Sequence, residues 1–218
     1  MRAIIDPGVM KFMPRKLAGL LLFVATAQFF VGMLFAEALY PDYSISGNYI
    51  SDLGATCDNA GACVIQQPAA NIFNGSVFLL GALLVIAAYL LWRSLGWKVF
   101  AILVFLTGIG ATGVGVFPET APLAHEITSD IAFIFAGISA IWAYRLTKAP
   151  MSHLSVILGV VCLMAIVLFT ANVLLGLGVA GMERMTVYPV VLWAVGFGAY
   201  LMAPGPESPP VPSALGVS

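Results

Sequence analysis

Charge is the scarcest property of this chain. Only 9% of its 218 residues are Asp, Glu, Lys or Arg, 61% are hydrophobic and mean hydropathy is +1.02, whereas a soluble domain carries roughly 25% charge. A soluble globular protein is excluded. Formal net charge is −1, so no basic surplus exists to neutralise phosphates and nucleic acid is not an expected partner. The two histidines, His125 and His153, fall at opposite ends of their hydrophobic runs. A bis-histidine haem would have to bridge the bilayer, which argues against a membrane cytochrome. Three cysteines with no repeated Cys/His spacing give no metal signature. No metal and no other cofactor is expected.

What the chain has in abundance is long apolar runs. A hydrocarbon core about 30 Å thick takes about 20 residues per helix, and six runs qualify: Leu17 to Leu39, Ile72 to Trp92, Val99 to Phe117, Ile127 to Tyr144, Leu154 to Val179 and Met185 to Met202. The expected fold is all-α, a six-helix transmembrane bundle over residues 17–203, preceded by a cytoplasmic segment, 1–16, and followed by a disordered Pro-rich cytoplasmic tail, 204–218. Near its end the first run carries Ala36-Glu37-Ala38, a small-residue pattern like a signal cleavage site. Its length exceeds the 7 to 15 or so residues of a signal-peptide apolar region, so it reads as a membrane span.

Basic residues set the orientation. Eight of the nine Lys and Arg fall at the ends shared with the termini, and only Arg184 lies opposite. Eight of the ten acids lie on that opposite side. Because cytoplasmic loops retain positive charge, both termini are expected in the cytoplasm of a multi-pass cell-membrane protein. Each outgoing helix ends near an acid, Glu37, Glu119 or Glu183, which suggests a three-hairpin pseudo-repeat, although the spacings disagree.

Two segments match G-x-G-x-x-G, Gly108 to Gly113 and Gly176 to Gly181. Neither sits between a strand and a soluble helix as dinucleotide binding requires. Small residues for close helix packing or local bending explain them better. In the first outer loop, Cys57 and Cys63 flank a turn-forming Asp-Asn-Ala-Gly-Ala segment. They read either as a disulfide in an oxidising compartment or as two free thiols in a loop.

The candidate site is the set of polar residues on the acidic side: Asn48, Ser51, Asp52, Glu119, His125, Glu126, Ser129, Asp130, Glu183 and Arg184. Counting back from Arg145 at 1.5 Å per residue places Asp130 roughly 7 Å inside the hydrocarbon edge, where a carboxylate needs a partner or a watery cavity. Arg184, the sole base on that side, is the expected partner. Alternatively, Glu126 and Asp130 simply stabilise the N-terminus of their helix.

Tyr40-Pro41-Asp42-Tyr43-Ser44, Ile50-Ser51-Asp52-Leu53-Gly54-Ala55, Ile72-Phe73-Asn74, Gly115-Val116-Phe117-Pro118-Glu119 and His125 together resemble the polytopic membrane family catalogued as domain of unknown function 998. The Ile-Ser-Asp and His segments are more distantly similar to damage-regulated autophagy modulators and glycolipid-anchor remodelling proteins. A weaker kinship is to transmembrane ceramidase-like hydrolases, which use several histidines around a metal. The resemblance implies six helices and a polar outer pocket, with no established activity.

The preferred functional reading is an outer pocket at headgroup depth that binds a membrane lipid or small amphiphile. A second is a membrane-embedded hydrolase or lipid-modifying enzyme, with His125 as general base, Ser51 or Ser129 as nucleophile and Asp52 or Asp130 orienting the imidazole. A third is an accessory subunit of a larger membrane complex, or a homo-oligomer, using the Gly-rich helix faces. A transporter is disfavoured, because no charge falls mid-helix.

Overall fold

A computed structural model describes residues 7–58 and 60–204. All but Pro204 of the expected tail lies outside the described residues. Six α-helices form: α1 (Pro7–Leu39), α2 (Ala69–Leu90), α3 (Lys98–Val116), α4 (Pro122–Trp142), α5 (Met151–Thr170) and α6 (Gly178–Met202). All six are long and apolar enough to span a bilayer, which makes the chain a multi-pass membrane protein.

Two boundaries depart from the hydropathy reading. Helix α1 begins at Pro7, ten residues before the apolar run, because charge marks where a helix leaves hydrocarbon and not where its hydrogen bonds stop. The fifth run ends early, at Thr170, and α6 starts at Gly178 instead of Met185. Between them Asn172, Leu175 and Gly176 take positive φ, a conformation that cannot continue a right-handed helix. The apolar text there hides a turn, and the second glycine motif belongs to it.

Consecutive helices pack side by side and α6 returns to α1. Helices α4 and α6 also touch, and α5 packs on both. Lipid offers no hydrophobic drive for helices to associate, so close van der Waals fit between small residues does the work. Gly81 on α2 lies against Gly108 and Thr112, while Gly110 and Gly113 lie against Thr128 and Ala132 on α4. The first glycine motif is therefore a packing surface with a helix on either side. Gly19 meets Gly198 across α1 and α6, and Gly137 meets Gly159 across α4 and α5.

Apolar side chains form a layer towards each end. Leu22, Phe100, Trp193 and Phe197 belong to the layer near the termini, with Phe100 and Phe197 edge to face at 5.2 Å. Phe29, Met33, Leu53 and Phe73 belong to the opposite layer. At that opposite end the α1–α2 connection carries a 3-10 turn, Ser51–Leu53, and a ribbon of β1 (Thr56–Cys57) and β2 (Cys63–Val64) paired antiparallel. Cys57 and Cys63 face each other across it and form a disulfide.

Candidate functional site

The candidate residues gather at the disulfide end, but they divide into groups with different employment. Asp52 is 6% exposed and accepts from Asn48 Nδ2 at 3.0 Å and the Tyr49 N–H at 2.9 Å, tying the 3-10 turn to the residues before it. Asn48 Oδ1 in turn accepts from the Ser44 N–H at 3.0 Å. Glu183, reaching across from α6, accepts from the N–H groups of Ile50 and Ser51. Asn74 on α2 donates to the Gly54 carbonyl at 3.3 Å. With Leu53 fully buried, these bonds seat Ile50 to Gly54 as a plug in the end of the bundle.

Arg184 is 6% exposed, so its guanidinium needs partners inside the protein. It finds Glu37 of α1 at 3.5 Å, the Tyr43 hydroxyl at 2.7 Å, and the carbonyls of Asn48 and Ala180 at 2.9 and 3.0 Å. The expected pairing with Asp130 does not form. Asp130 and Glu126 are exposed on one face of α4, and neither makes a hydrogen bond or ion pair among the described residues. They share that face because they are one turn apart. Tyr43 ionises well above its ordinary value, through burial first and then through Glu37 and Glu183, against the pull of Arg184.

A third group surrounds Ser51. Glu119, in the α3–α4 connection, lies within electrostatic reach of Ser51, Cys57 and His125. Burial, reinforced by the charge of Asp52, raises its pKa above the ordinary 4.5 despite those favourable neighbours. His125 places Nδ1 2.9 Å from the Phe117 carbonyl oxygen. A carbonyl only accepts, so Nδ1 is the donor of this contact. No carboxylate, Asp52 and Asp130 included, hydrogen-bonds or ion-pairs with His125 among the described residues, and it is Glu119 whose titration feels the ring.

Beneath the plug lies a feature absent from the sequence reading, a cavity of about 110 Å³ inside the bundle. Helices α1, α2, α3, α4 and α6 line it, and α5 closes the α4–α6 seam from outside. On α4 the lining runs from His125 to Ser139, fourteen residues or about 21 Å. The space is thus long and narrow. Its walls are apolar, including Phe29, Val77, Val104 and Val190, and its polar groups concentrate at the plug end as Ser51, His125, Ser129 and Glu183. Far along it, the Ser139 hydroxyl is 1% exposed and has no hydrogen-bond partner. Most helical Ser and Thr nearby, such as Thr107 and Thr112, bond the carbonyl four residues back.

Sequence reasoning missed Glu37, Tyr43, Ser139 and Trp193. A signal for the cavity was present: on α4 the lining positions Ser129, Ala132, Ala136 and Ser139 are all small, and small side chains at helical spacing leave room where neighbours do not close in.

The family model described as Protein of unknown function (DUF998) matches residues 23–200. No curated protein matches, and no solved structure does.

Proposed function

We propose, from the premise that this chain belongs to the DUF998 family of membrane proteins of unknown function, that it binds a single-chain membrane amphiphile along its axial cavity, headgroup at the plug end. The observation that carries this reading is the cavity's shape and polarity. A run of about 21 Å with apolar walls suits an extended alkyl chain better than a compact ring. Ser51, His125, Ser129 and Glu183 at one end suit a polar head, and they lie where α4 and α6 begin, near an interface depth.

The same reading sets the termini in the cytoplasm and the disulfide end outside. The basic residues support it: Arg145 lies over the Trp142 ring at 4.5 Å, and Lys98 over Trp92 at 5.8 Å. Arginine and lysine beside tryptophan at helix ends are features of an interface.

The test uses Trp193, which lines the cavity, in a chain whose other tryptophans, Trp92, Trp97 and Trp142, are replaced by Phe. A dodecanol brominated at its far carbon, added to nonionic detergent micelles, is expected to quench Trp193, and Ala136→Phe, which fills the cavity, is expected to remove the quenching. Quenching that is unchanged in Ala136→Phe would show contact from the detergent phase and overturn the reading.

A further inference from the structure

Resting on that reading, we propose that the occupant's head is a hydrogen-bond donor of positive charge, a primary alkylamine, and not a carboxylate or phosphate. The argument concerns which polar capacity remains unused at the plug end of the cavity. Arg184, the sole base of this end in the sequence, does not line the cavity. Its Nη1 and Nη2 groups are directed at Glu37, Tyr43, Asn48 and Ala180, and its buried Nε, which has no hydrogen-bond partner among the described residues, belongs to a side chain outside the cavity lining. An anionic head would meet no free cation there.

What the cavity does present is acceptors. The Glu183 carboxylate receives one backbone N–H at each oxygen and retains further lone pairs. The proton on His125 Nδ1 is directed at the Phe117 carbonyl, and Nε2 is an acceptor in the neutral form of the ring. Glu119, outside the cavity lining but within electrostatic reach of Ser51, adds a second acidic group near the same end. An ammonium offers three donors on a compact head, which matches acceptors converging from the plug, α4 and α6.

Ser139 supplies an independent sign that the cavity holds something. Its hydroxyl is 1% exposed, lines the same space and has no protein partner, and buried polar groups in native proteins are rarely left so. Trp193 lies ten residues along α6 from Glu183, about 15 Å, which an extended chain of about twelve carbons, joined by bonds of roughly 1.5 Å, can cover.

The experiment compares ω-bromododecylamine, ω-bromododecanol and ω-bromododecanoate as quenchers in the chain retaining only Trp193, each reckoned by its mole fraction in the micelle. The amine is expected to reach half-quenching at a mole fraction roughly tenfold below the carboxylate, a factor worth about 1.4 kcal/mol, with the alcohol between them. All quenching should vanish in Ala136→Phe. A carboxylate that quenches as well as the amine, or better, overturns the assignment of the head while leaving chain binding intact. Failure of all three to quench, or quenching indifferent to Ala136→Phe, overturns chain binding itself and the assignment with it.

Discussion

Replacing Arg184 by Gln should be far more damaging than replacing its acidic partner. In the native protein the guanidinium and the Glu37 carboxylate are 3.5 Å apart, with side chains only 7% and 11% exposed. Taking away the cation leaves Glu37 enclosed without a counter-charge, and breaking a buried pair in this way costs about 3–5 kcal/mol. Glu37→Gln is gentler, since Arg184 keeps the Tyr43 hydroxyl and two backbone carbonyls. Its loss should stay near 1–2 kcal/mol, because the Gln amide oxygen remains as a neutral acceptor beside the guanidinium. The double variant should then fall well short of the sum, because the second change removes the stranded charge. Equilibrium unfolding in nonionic detergent, followed by fluorescence, measures all three. If Arg184→Gln costs no more than Glu37→Gln, or if Asp130→Asn couples to Arg184→Gln as strongly as Glu37→Gln does, the assignment of Arg184 to a structural pair fails.

Glu119 gives a pH dependence of definite sign. Its folded pKa is raised above 4.5, chiefly by burial, so between those two values the folded state holds more protons than the unfolded chain. The contribution of Glu119 to stability should therefore be full below 4.5 and be lost as pH rises through the folded pKa, so Glu119→Gln should show a shallower decline over that window in unfolding at a series of pH values. Gly115→Ala should destabilise by about 1–3 kcal/mol, because a Cβ would come within 2.6 Å of the Phe78 backbone nitrogen. Gly75→Ala, which meets nothing within 4 Å, should gain about 0.5–1 kcal/mol in the same unfolding assay. Opening the six-residue Cys57–Cys63 loop by a double Ser substitution should cost about 2 kcal/mol or less, speeding amide exchange in the ribbon while leaving the helices protected. Ser139→Ala should raise the stability of the unliganded protein by about 1 kcal/mol, since it deletes an unpaired hydroxyl.

The six helices were legible because each is a long apolar run, and their ends were not, for local reasons. The α5–α6 turn is written in Leu, Val and Gly, so hydropathy runs straight through Asn172 to Gly176 while the backbone φ reverses. The sequence grouped the polar residues by side of the membrane and carried almost nothing of their pairing. Helical rise placed Asp130 at a depth that demanded a partner, but depth carries no azimuth, and Asp130 faces outward one position from Ser129, which lines the cavity. Glu37, at the end of the first apolar run, could be seen as an acid of the right side. Nothing in the sequence joined it to Arg184, since that contact depends on α1 and α6 closing the ring. The cavity left only a partial trace in the sequence, small residues at helical spacing on α4, because it is made by five helices and the plug together failing to fill a space.

The most direct measurement of the central claim is a crystal structure of the protein grown from a lipid mesophase and soaked with ω-bromododecylamine. Anomalous signal from bromine is expected between Trp193 and Ser139, with continuous density leading back to the Glu183 carboxylate. Bromine found only on the lipid-facing surface, with the side chains of α4 and α6 closed over an empty axis, would contradict it.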